Sequence, residues 1–288
     1  MRLLAVLQNS SLIFITSMLI AIVFPQASPY FRNFIIPALA LVMTLSLCQL
    51  ELRNLEFRRS FWNFILNYLF LSGLILLLSS NLQDDSMRLG FIVMAAAPPA
   101  IAVVPFSRLL GGDVMESMVS SGVIYILSLV LTPTIVLIFT GKNVGVYDIL
   151  KALFILILLP IFASRAIRVE NPTPVINLGF GFVIYTIIGL NSELICGNLL
   201  VLLDIISIAF ARTFLSGSLA FLIFFLILKN SYQQAINRAL FSSYKNLGFT
   251  AGVAIALFGD RAAVPAAICV LFEILVFNYY LLLKRYLK

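Results

Sequence analysis

Long uncharged apolar runs alternate with short charged or turn-forming stretches along the whole chain, and each run is close to the roughly 20 residues that a helix needs to cross hydrocarbon. The pattern predicts ten segments. The first ends at Pro25, and the next three cover about 33–50, 61–80 and 87–110. Six more follow at about 115–139, 147–168, 174–190, 199–228, 233–258 and 262–283. The charged run Glu51, Arg53, Glu56, Arg58, Arg59 closes the second, and Asn81-Leu82-Gln83-Asp84-Asp85 closes the third. Two segments are interrupted. The fourth carries Pro98-Pro99 in its middle, which cannot continue a helix. The ninth carries Lys245-Asn246-Leu247-Gly248.

Composition agrees: 62% of the 288 residues are hydrophobic, 11% are charged and the mean hydropathy is +1.09, so the chain reads as an integral membrane protein without a soluble domain. Ala27-Ser28 resembles a signal cleavage site after Arg2, but the remainder is as apolar as the signal itself, so the N-terminal run reads as a spanning helix. The absence of histidine excludes Ser-His-Asp catalysis, Cys-His nucleophiles and zinc–histidine sites. Cys48, Cys196 and Cys269 are odd in number and widely spaced, which suits packing rather than disulfides or a metal cluster. The formal charge of +7 lacks the aromatic-interleaved basic clusters of a nucleic-acid binder, so no nucleic-acid partner is expected.

With the N-terminus inside, Arg2, Arg53, Arg58, Arg59, Arg108, Arg165, Arg168, Lys229, Arg238, Lys284, Arg285 and Lys288 fall on the inner side. Arg32, Arg88, Lys142, Lys151 and Arg261 fall outside. Twelve against five predicts both termini in the cytoplasm, at a plasma (inner) membrane. A shift of 147 residues lays Leu110-Gly111-Gly112-Asp113 on Leu257-Phe258-Gly259-Asp260 and Pro98-Pro99 on Lys245-Asn246. The two interrupted segments thereby become counterparts. The reading is an all-α bundle of two inverted five-helix repeats, 1–140 and 141–288, with a binding site at the paired breaks.

Gly90 to Pro133, with Ala97-Pro98, Gly112-Asp113 and Leu131-Thr132-Pro133, resembles the fourth and fifth helices of the bile acid:sodium symporter family. Lys245-Asn246-Leu247-Gly248 through Val264-Pro265-Ala266-Ala267 resembles that family's ninth and tenth helices. The resemblance implies a panel domain (segments 1, 2, 6 and 7) and a core domain (3–5 and 8–10), with the fourth and ninth segments crossing at their breaks. It also implies alternating-access transport of organic anions, usually coupled to sodium. Pro98, Pro99, Ser121, Tyr125, Lys245, Asn246 and Gly248 map onto the substrate and ion site. The chain departs from the pattern there. Two sodium ligands become Val103 and Val104, the ninth helix's glutamate and glutamine become Phe241 and Lys245, Tyr125 replaces a smaller hydroxyl residue, and Ser121 keeps a ligand position.

An ammonium at mid-depth repels sodium and offers it no oxygen. Lys245 is therefore expected to supply in cis the charge that sodium supplies elsewhere, either by stabilising the crossover carbonyls or by attracting an anion, with proton coupling as an option. Arg212 and Glu273 are the other intramembrane charges and are expected to pair with each other or with Lys245. Glu116 reads as an electrostatic cap, Glu193 and Asp204 as solvated ends, and Thr44, Ser46, Ser120, Ser242, Ser243 and Thr250 as cavity or backbone-bonding hydroxyls.

The expectation is a secondary transporter of a small organic anion, not sodium-coupled, with no cofactor or metal. The alternatives are a non-transporting receptor or scaffold, and a sodium symporter with a non-standard site. No acid–base pair or metal site suggests an enzyme.

Overall fold

The computed structural model describes residues 6–48, 57–141, 145–167 and 169–287, and the helices of eight residues or more among them are named below. In chain order they are α1 (Ser10–Val23), α2 (Pro25–Leu47), α3 (Ser60–Ser79), α4 (Asp85–Ala96), α5 (Val103–Leu110) and α6 (Val114–Thr140). α7 (Val146–Ala166), α8 (Thr173–Leu190), α9 (Leu199–Ile227), α10 (Tyr232–Phe241), α11 (Leu247–Phe258) and α12 (Val264–Leu287) follow. The protein is an all-helical, multi-pass membrane protein. Seven helices (α2, α3, α6, α7, α8, α9 and α12) are long and apolar enough to cross a bilayer, while α1 and α11 are shorter apolar helices.

Local chemistry sets the boundaries. The side chains of Asn9, Asp84, Asp113, Ser231 and Asn246 accept the amide N–H three residues on and so cap α1, α4, α6, α10 and α11. α4 stops at Ala97, which takes the extended backbone that a following proline imposes (φ −68°, ψ 148°). Gly111 and Gly259 reverse the chain with positive φ.

Glu116 lies in the first turn of α6, where a negative charge suits the helix dipole, but it does not supply the hydrogen bond that caps the helix. That bond comes from Asp113, and the Glu116 carboxylate pairs instead with the Arg238 guanidinium, which also donates to Asn63 Oδ1. Arg238, counted above with the inner loops, is buried in α10 for that reason. Of the other expectations on charge, Arg2, Glu51, Arg53, Glu56, Lys142, Arg168 and Lys288 lie outside the described residues.

Two packed groups result. α1 and α2 lie against α8, and α7 lies against α2; α3 packs on α6, α4 on α3 and α6, and α9 on α12 and α10. The groups meet where α11 leans on α2 and α7, and α12 on α1 and α8. The 147-residue shift carries Asp85–Ala96 onto 232–243, close to Tyr232–Phe241, and Val103–Leu110 onto 250–257, inside Leu247–Phe258. It also carries the π-helical turns Ile65–Leu71 of α3 onto 212–218, overlapping those at Ala211–Leu215 of α9.

Candidate functional site

The breaks after α4 and α10 meet inside the protein, where Asn246 N–H donates to the Pro98 carbonyl across 2.8 Å. A helix end leaves carbonyls without partners, and in a membrane interior each one must find a donor. The three at the end of α4 are all supplied. Ser72 Oγ donates to Ala95 O, and Tyr68 and Thr132 donate to Ala96 O. Lys245 Nζ donates to Ala95 O (3.1 Å), Ala97 O (2.8 Å), Asn67 Oδ1 (3.1 Å) and Ser72 Oγ (2.9 Å), and lies 4.5 Å from the centre of the Tyr68 ring. The ammonium thus fills a cage of four oxygens roofed by an aromatic face.

The end of α10 is closed by neutral donors. Asn67 Nδ2 donates to Phe241 O and Tyr244 O, and Ser216 Oγ donates to Ser242 O. Asn67 therefore serves both broken helices, its amide oxygen facing Lys245 and its nitrogen facing α10. Asn67 and Ser72 are five residues apart, and in a regular α-helix they would diverge by about 140° around the axis. The wider π-helical winding of Ile65–Leu71 turns both toward Lys245, and Ser72 Oγ also bonds Asn67 O.

Among the residues expected at the site, Pro98, Lys245 and Asn246 come together at the crossing. Tyr125 joins them by accepting from Asn246 Nδ2 at 2.6 Å. Gly248 lies at the start of α11 against Phe180 of α8, where an added Cβ would come within 2.3 Å of the ring. Pro99 is buried beside Pro98, and Ser121 lies one turn before Tyr125 with its buried hydroxyl lacking a partner among the described residues. Arg212 Nη2 pairs with Glu273 Oε1 at 2.8 Å, and the same oxygen accepts from Lys245 N at 3.3 Å. Of the polar residues noted as cavity candidates, Ser46 and Asn246 line the cavity described next, while Thr44, Ser242, Ser243 and Thr250 bond backbone carbonyls of their own helices. Asn63, Asn67 and Ser72 were not singled out from the sequence, and Thr132 was named only within the Leu131-Thr132-Pro133 motif. A lone asparagine in Ile65-Leu66-Asn67-Tyr68-Leu69 is the signal that marks one of them.

A cavity of about 640 Å³ separates α1, α2 and α8 from the crossing and α12. Its head holds Lys245, Asn246 and Glu273, its walls include Phe14, Phe106, Phe180 and Phe277, and its rim carries Gln8, Asn9, Ser10 and Thr173. Ala100, Ile101 and Ala102, which lead into α5, line it together with Asn246, Leu247 and Gly248 at the start of α11. Two helix N-termini, the positive ends of their dipoles, therefore face one space.

The profile of the SBF-like CPA transporter family matches residues 11–277. The chain belongs to that family. The match takes in both broken helices, the cage and all of the cavity lining except Gln8, Asn9 and Ser10, and the family is one of membrane transporters related to the bile acid:sodium symporters. No curated protein matches the chain.

Proposed function

We propose that the protein is a secondary transporter that carries a small organic anion by alternating access and needs no sodium, because Lys245 is its built-in cation. The observation that carries this reading is the seat of Lys245 Nζ among Asn67 Oδ1, Ser72 Oγ, Ala95 O and Ala97 O. Four oxygens at 2.8–3.1 Å around a central positive charge form the environment of a bound monovalent cation, here tethered to the chain. Of the two roles expected for Lys245, the contacts favour neutralising the crossover carbonyls over reaching for substrate, since its donors are already engaged. Attraction of an anion then falls to the N-termini of α5 and α11.

The same reading takes α1, α2, α7 and α8 as the panel, the rest as the core, and ten crossings as two inverted repeats. The coincidence of element bounds under the 147-residue shift supports that assignment. It places both termini in the cytoplasm of a cell whose inner membrane holds the protein, with a proton as an optional coupling ion.

The test is thermal stability of the purified protein in detergent, alongside uptake of a panel of small organic anions into proteoliposomes. The wild type is expected to melt at the same temperature in sodium and in potassium at matched ionic strength. Lys245→Ala should melt lower and recover part of the loss in ammonium or methylammonium, which refill the cage. Selective stabilisation of the wild type by sodium, or a Lys245→Ala variant as stable as the wild type, overturns the reading of Lys245. No uptake of any anion favours a scaffold.

A further inference from the structure

The cavity and an ion pair between the two groups of helices lie at opposite ends of the same elements. α2 meets the cavity near its C-terminal end, at Met43 and Ser46, and α8 meets it near its N-terminal end, at Thr173 and Asn177. At the other end of α2, Arg32 Nε donates to Asp260 Oδ2 at 2.7 Å, and at the other end of α8, Asn191 Nδ2 donates to Asp260 O at 3.4 Å. One short turn, Asp260–Ala263, is thereby held by two helices of the opposing group.

That turn is fixed firmly to its own side. A Cβ on Gly90 of α4 would come within 2.1 Å of the Ala262 carbonyl oxygen, so α4 and the turn are in backbone contact, and Arg261 lies 3.9 Å from Asp84, the residue that caps α4. Between latch and cavity, the two groups meet through small residues. Gly252 sits against Leu39 and Leu156, and Gly248 against Phe180. The interface is closed from Gly248 to Asp260 and open from Gly248 toward Gln8.

We infer that Arg32, Asp260 and Asn191 form a latch that holds one side of the transporter shut while the cavity faces the other, and that each transport cycle must break it. The inference rests on the alternating-access reading above. Asp260 moves with α4 and α11, while Arg32 belongs to α2 and Asn191 caps the C-terminal end of α8, so separation of the two groups on this side cannot occur with the contacts intact. The contact suits repeated opening. It uses one carboxylate oxygen, Arg32 is 57% exposed, and exposed pairs of this kind shift an equilibrium by about two- to five-fold. By the distribution of Lys and Arg, the latched side is the outer one and the cavity faces the cytoplasm.

The test is pulsed spin-label distance measurement on the full chain in lipid nanodiscs, with Cys48, Cys196 and Cys269 replaced by serine and labels at Tyr30 and Asp85, both exposed on the latched side. Arg32→Ala is expected to raise the long-distance population about two- to five-fold, and the exchange Arg32→Asp with Asp260→Arg to return it toward the wild type. Gly252→Phe serves as a wedge between α11 and its neighbours α2 and α7. A distance that lengthens with the wedge but not with Arg32→Ala overturns the latch and leaves alternating access standing. A distance that responds to neither overturns both.

Discussion

Asn246 joins the two broken helices from both directions: its N–H donates to the Pro98 carbonyl, and its side-chain oxygen caps α11 through the Phe249 N–H at 2.9 Å. Its remaining donor goes to Tyr125 Oη and lies near Met43 Sδ. One residue thus ties α4, α6, α11 and α2 at a single point, and its loss reaches further than one hydrogen bond.

Asn246→Ala should cost about 1–3 kcal/mol of stability, since it removes a helix cap and orphans a buried phenol. Tyr125→Phe should cost less, because the amide keeps its cap. The double variant is expected to fall short of the sum, with a coupling of about 0.5–3 kcal/mol. Thermal or denaturant unfolding in detergent, run as a double-mutant cycle, reads the coupling directly.

Arg212 is fully buried and Glu273 reaches the cavity. Replacing either one alone leaves a charge without its partner, so Arg212→Met and Glu273→Met should each destabilise by about 3–5 kcal/mol. Replacing both should be milder than either single change. Melting temperatures of the three variants decide it: a double variant less stable than both singles would show that the pair is not the unit of stability.

Gly90 and Gly73 separate close approach from helix propensity. An alanine at Gly90 drives its methyl into the backbone oxygen of Ala262, which cannot swing aside. An alanine at Gly73 meets nothing within 4 Å. Gly73→Ala is expected to stabilise by up to about 1 kcal/mol, and Gly90→Ala to lower the melting temperature and displace the 260–263 turn. Cysteine accessibility at Arg261→Cys in the Gly90→Ala background detects the displacement.

Much of the scaffold was legible because it obeys local rules. Pro98-Pro99 forces a break wherever it falls, seven of the ten apolar runs form helices long enough to span a membrane among the described residues, and Lys245 stood out as a cation deep in a segment. The partners of Lys245 were not legible. Two are backbone carbonyls, which every residue possesses, and Asn67 and Ser72 lie more than 170 residues away in chain order. The cap of α6 shows the same limit from closer range. Asp113 and Glu116 both suit a helix start, and only the arrival of Arg238 from α10 assigns them different work.

The π-helical winding at Ile65–Leu71 makes the length of α3 an inherited setting. Wound as an ordinary α-helix at its present length, the segment would turn the Asn67 amide about 140° away from the Ser72 hydroxyl, whereas removing one residue between them would leave the two four apart, on one face of an ordinary helix. The extra residue and the wide turn therefore compensate each other. A lineage could shed both together and keep the amide and the hydroxyl side by side, but a lineage that straightened the turn without shortening the helix would take one of the two oxygens away from the lysine.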